Sequence, residues 1–122
     1  MRALLFVGIG GGLGSILRYV ISLFIGRHVP IVFPLGTLIV NISGCFLIGV
    51  FYSILARHTD FNSEWRLLLI TGICGGYTTF STFSYDGVIL LKQGSNLSFM
   101  LYVLSSVVIG LLATFAGVAL FK

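Results

Sequence analysis

The stretch from Gly72 to Tyr85, GICGGYTTFSTFSY, concentrates the side chains of this chain best suited to handling an ion. Three glycines, five Ser/Thr hydroxyls and the pair Phe80 and Phe83 share one short window inside a long apolar segment. Hydroxyls donate hydrogen bonds, and a phenyl ring is negative on its face and positive on its rim. A ring turned edge-on therefore offers weak positive potential. Such groups replace the water around a small anion stepwise without a full charge that would trap it. Further polar residues recur at helical spacing: Thr37 and Asn41, then Tyr102 and Ser106, with Gly110 and Thr114 continuing the second series. Asn41 alone is explained by an interhelical hydrogen bond, worth about 0.6 kcal/mol in membrane bundles. Three segments that each carry a polar or aromatic track favour a path instead.

The elements that position these groups follow from composition. The 122 residues are 57% hydrophobic and 8% charged, against about 45–50% apolar and about 25% charged in soluble domains. With a mean hydropathy of +1.13, the chain is expected to be an all-α membrane protein. Four apolar segments fit, over about 3–25, 32–56, 66–91 and 97–121, each near the roughly 20 residues that cross a bilayer. The connections GRHVP, RHTDFNSE and KQGSN are too short for a soluble domain. The glycine and hydroxyl window falls inside the third segment. Irregular backbone at membrane depth survives only where protein surrounds it or it lines a cavity, so a break near the middle of that span marks the expected site.

Several other functions find no support. The opening MRALLFVGIGGGLGS is interrupted by glycines and lacks a small-residue cleavage site, so it is not read as a signal peptide. Its glycines miss the dinucleotide fingerprint, with Leu13 at the last glycine position and no acid at the ribose-binding distance. Gly8 with Gly12, Gly10 with Gly14, and Ala113 with Gly117 make small-xxx-small pairs that favour close helix packing. Cys45 and Cys74 fall within apolar segments and read as small packing residues. His28, His58, Arg57, Asp60, Glu64 and Arg66 read as solvated connection residues, with Trp65 in the interfacial belt. The sparse positive charge gives no nucleic-acid footprint. No nucleophile and base pair can be assembled at one membrane depth, so no enzyme is expected.

Arg18 lies several turns into the first span, where a charge costs about 2.5–3.5 kcal/mol on insertion scales. It is either a snorkelling residue or an attractor and clamp at an aqueous vestibule. With four spans, both termini and the second connection share one face, which holds Arg2, Arg57, Arg66 and Lys122. The other face has Arg27 and Lys92. A bias that weak permits insertion in both orientations, and with it an antiparallel homodimer.

The stretches GIGGGLGSILRY, PLGTLIVNISGCFLIG and TGICGGYTTFSTFSYD together carry a family resemblance. The chain resembles the Fluc (also called CrcB) family of bacterial fluoride channels along essentially its whole length. That resemblance implies a dual-topology homodimer in the bacterial inner membrane, with four helices per subunit and the third broken. It implies two antiparallel fluoride pores, each drawing on both subunits. A central structural Na⁺ would be held by carbonyls mapping to Gly75 and Thr78. The pore residues map to Asn41, Phe80 and Phe83, and the polar track to Thr37, Tyr102 and Ser106. Ser81 and Thr82 become candidate fluoride contacts, and Arg18 a vestibule residue. Gly110 departs from relatives that carry a serine there.

The implied function is passive fluoride export that relieves toxicity. An inside-negative potential drives F⁻ outward with about 2.3 kcal/mol per 100 mV. The alternative is a small four-span proton-coupled multidrug exporter, which needs a carboxylate in its first span. The first span has none, and Asp86 is the only acid within the third.

Overall fold

The computed structural model describes residues 1–57 and 63–121. His58, Asp60 and Lys122, expected among the solvated residues of one membrane face, lie outside the described residues. The described chain is helical, in the order α1 (Arg2–His28), α2 (Leu35–Arg57), α3 (Ser63–Arg66), a π-helical stretch (Leu67–Cys74), α4 (Gly75–Tyr77), α5 (Phe80–Lys92) and α6 (Asn96–Leu120). Four of these units are long and apolar enough to cross a membrane: α1, α2, the composite Ser63–Lys92, and α6. Gly26 to His28 form the last turn of α1 rather than a loop, and His28 Nδ1 lies 2.9 Å from the Phe24 carbonyl. Its ring also stacks on Phe24, with centroids 4.1 Å apart.

The third span is bent because it is built from unlike pieces. Leu67–Cys74 takes the wider π-helical turn, a costly geometry that proteins keep mostly at functional sites. One α-helical turn follows, and the chain then extends at Thr78 (φ −87°, ψ 156°) and Thr79 (φ −150°, ψ 118°). A fresh helix, α5, starts at Phe80. Its N-cap is Thr79, whose Oγ1 accepts from the Thr82 N–H at 3.2 Å. The far end of α5 closes on Gly94, whose φ of +76° suits a residue without a Cβ. Ser95 N–H bonds Leu90 O and Gly94 N–H bonds Leu91 O, each at 3.0 Å, the Schellman pattern that ends a helix cleanly.

Glycine contacts set the helix packing. A methyl group added at Gly10 would lie 2.9 Å from Gly72 Cα, and one at Gly72 would lie 2.8 Å from Gly10 Cα. The backbones of α1 and the π-helical stretch therefore touch. Gly49 and Gly117 do the same for α2 and α6, where a methyl at Gly117 would reach 2.9 Å from Val50 N. The expected pair Gly8 and Gly12 differs: both face open space within this chain, whereas Gly10 and Gly14 pack against the third span, as does the backbone of Gly11. On one face Arg2 Nε meets Glu64 Oε2 at 3.0 Å, Arg57 Nη1 donates to Phe121 O at 2.9 Å, and Arg66 lies over the Tyr52 ring. Exposed leucines, valines and phenylalanines line the outer surfaces of α1 and α6, the composition expected of a lipid-facing wall.

Candidate functional site

Breaking a helix inside the membrane frees backbone groups that lipid cannot satisfy. This chain satisfies most of them with side chains from two neighbouring helices. In an unbroken helix the Gly75, Gly76 and Thr78 carbonyls would accept from the N–H groups four residues on. Here the Thr79 N–H donates instead to Asn41 Oδ1 at 2.9 Å, and Asn41 Nδ2 donates to Thr79 O at 3.1 Å. Gly76 O accepts from Arg18 Nε at 3.1 Å and from Ser15 Oγ at 3.5 Å. The Arg18 guanidinium is thereby tied to the broken span. The last residue before the break, Tyr77, is buried, and its hydroxyl pairs with Ser43 Oγ at 2.8 Å.

Two carbonyls come out of this exchange without their helical donors. The Thr79 N–H due to Gly75 O is taken by Asn41, and the Thr82 N–H due to Thr78 O is taken by the Thr79 cap. Thr78 holds its own N–H and hydroxyl on Cys74 O, at 3.0 and 2.9 Å. Carbonyl oxygens of this kind are hard donors. Among the described residues no group of three His, Cys, Asp or Glu side chains competes as a metal site.

Beside the break lies a cavity of about 370 Å³, walled by α2, the broken span and α6. Asn41, Gly75, Thr78, Phe80, Phe83 and Ser106 all line it. Ser106 Oγ is buried and has no hydrogen-bond partner, an orphan that costs about 1–3 kcal/mol unless a guest fills its valence. Phe80 is 78% exposed, and its ring centroid is 5.6 Å from that of Phe83. Phe83 in turn lies 5.1 Å from Tyr102, and Phe33 meets Tyr102 edge-on at 5.6 Å. Phe80, Phe83 and Tyr102 thus form a continuous aromatic row from the exposed surface to the core.

Tyr102 is fully buried, and its hydroxyl donates to Asp86 Oδ2 at 3.2 Å with Thr37 alongside. Asp86, the only acid of the third apolar segment, thus has its carboxylate at the end of the aromatic row. Ser81 and Thr82 gather around Thr79, with both hydroxyls 3.2 Å from its Oγ1. That cluster sits at the N-terminus of α5, where free N–H groups and the helix dipole favour negative charge. Thr114 extends the Ser106 face, but its hydroxyl bonds Cys45 O at 3.0 Å and Gly110 O at 3.2 Å, tying α6 to α2.

Ser15 and Ser43 escaped sequence reasoning, as did the individual contacts of Tyr77 and Thr79 within the glycine and hydroxyl window. For Ser15 a signal existed, since it stands three residues before Arg18 and so shares its helix face.

Against known families, residues 5–118 match the model described as "CrcB-like protein, Camphor Resistance (CrcB)". The chain belongs to the CrcB family. Its CrcB relatives include a protein of Phocaeicola vulgatus, 48% identical over 118 residues, or 97% of each chain. Another, from Flavobacterium psychrophilum, is 43% identical over 122 residues, covering 100% of this chain and 98% of its own. A third, from Aquifex aeolicus, is 44% identical over 117 residues, covering 96% and 94%. All three bear the name fluoride-specific ion channel FluC. Four spans and this family membership make the chain a multi-pass membrane protein.

Proposed function

We propose that this chain is a passive fluoride-selective ion channel, not an enzyme, that exports F⁻ across the bacterial inner membrane and so relieves fluoride toxicity. The observation that carries the proposal is Ser106, whose buried hydroxyl has no partner, in the wall of a cavity also lined by Phe80, Phe83 and Asn41. A strongly hydrated halide needs donors that replace its water, and an unspent hydroxyl beside phenyl rims provides them. The names of the CrcB relatives support the choice of ion.

The route runs from the hydroxyls of Ser81 and Thr82 at the α5 N-terminus, past Phe80 and Phe83, to Ser106, Tyr102 and Thr37. The high exposure of Phe80 supports a wall completed by a second, antiparallel copy of the chain, giving two pores per homodimer. The Gly75 and Thr78 carbonyls fit a structural Na⁺ at the junction of the two broken spans. When bound, that ion would neutralise carbonyl dipoles brought together there. α1 contains no acid, so the carboxylate expected of a proton-coupled exporter is missing from the first span.

Currents through planar bilayers containing the purified chain test this reading. A fluoride gradient is expected to set the reversal potential, and equal chloride on both sides should leave it unmoved. A reversal potential that follows chloride or sodium would refute fluoride selectivity.

A further inference from the structure

The only two cysteines of the chain, Cys45 on α2 and Cys74 at the end of the π-helical stretch, line one cavity from two different helices. Both are free thiols, and Cys74 is 2% exposed. Nothing in the polar framework of the break uses either sulfur. Ser106, whose buried hydroxyl has no partner, lines the same cavity.

We propose that Cys45 and Cys74 form a two-thiolate site for one soft divalent cation, for which mercuric ion is the probe. The ligand set decides the class. The cavity wall offers no histidine or carboxylate, so a four-ligand zinc site cannot be completed. Paired sulfurs select soft, two-coordinate metals. Charge decides the valence. Two S–H bonds break, two S–Hg bonds form, and two protons leave to water with no change of oxidation state. The product is neutral, whereas a monovalent metal on two thiolates would leave a net negative charge in a low-dielectric interior. A metal held there fills space shared with Ser106 and Phe80, so binding blocks fluoride flux. That last clause rests on the proposed function.

The full-length chain is reconstituted in liposomes and titrated with mercuric acetate against glutathione as competitor, with bound mercury counted per chain. One mercury per chain is expected, and Cys45→Ala and Cys74→Ala should each weaken binding by about tenfold or more. Because Cys74 is buried, Cys74→Ser is measured beside Cys74→Ala. Fluoride efflux from the same vesicles should fall as mercury binds and return with dithiothreitol. Single variants that bind as tightly as the parent, mercury that cross-links two chains, or full efflux from loaded protein would each overturn the proposal. Efflux before any mercury is added tests conduction separately, and the mercury count stands whatever that efflux shows.

Discussion

The side chain of Asn41 grips Thr79 by both of its backbone groups, accepting its N–H at 2.9 Å and donating to its carbonyl at 3.1 Å. A single amide on α2 thereby takes the N–H that a helical ladder would have bound across the break and adds a donor to the Thr79 carbonyl at the start of α5. Asn41 also lines the cavity, so the residue that holds the break is part of the cavity wall.

Asn41→Asp keeps the shape and removes the donor. A carboxylate oxygen would then oppose the Thr79 carbonyl, at a cost of about 1–3 kcal/mol for the unsatisfied pair. Conduction should stop, because negative charge is placed in an anion path. Thermal unfolding in detergent and fluoride efflux check the two halves, and normal efflux would remove Asn41 from the route.

Ser106→Ala separates function from stability. The hydroxyl has no internal hydrogen bond to lose and its burial is uncompensated, so the variant should be no less stable than the parent and gain up to about 1–3 kcal/mol. Fluoride efflux should nevertheless fall severalfold. Unchanged efflux would mean that the orphaned hydroxyl contacts no permeating ion.

Phe80→Ile and Phe83→Ile should both abolish fluoride flux, but with different structural costs. Phe80 is 78% exposed and loses little packing, whereas Phe83 touches the rings of both Phe80 and Tyr102. A loss of about 1–3 kcal/mol is expected for Phe83 alone, from removed ring contacts and misfit. Melting curves set beside efflux distinguish the two.

Gly10→Ala should destabilise the chain by about 1–3 kcal/mol, as overpacking does where backbones touch. Gly26, near the end of the same helix, faces open space. Gly26→Ala should be neutral or slightly stabilising, since alanine favours the helix. Equal melting temperatures for the two variants would contradict the α1 contact with the third span.

Much of the architecture was legible because membrane-spanning helices announce themselves by length and apolarity. The bend was legible too, since the Gly and hydroxyl run from Gly72 to Ser84 has no other place inside hydrocarbon. The partners of the break were not. Nothing in the spacing of Arg18 says that its guanidinium caps Gly76 O, because that depends on α1 touching the third span through Gly10 and Gly72. The π-helical widening over Leu67–Cys74 was equally hidden, as LLLITGIC reads as an ordinary apolar helix. The depth of Asp86 in the third span could be counted, but its contact with Tyr102 depends on how α5 leaves the break.

Fluoride release from liposomes that contain only this polypeptide bears most directly on conduction through the broken span. With potassium and valinomycin setting the potential, a fluoride electrode should record rapid release, while chloride stays near the rate of protein-free vesicles. Fluoride retained at that background rate, or released only when a proton gradient is imposed, would contradict passive conduction.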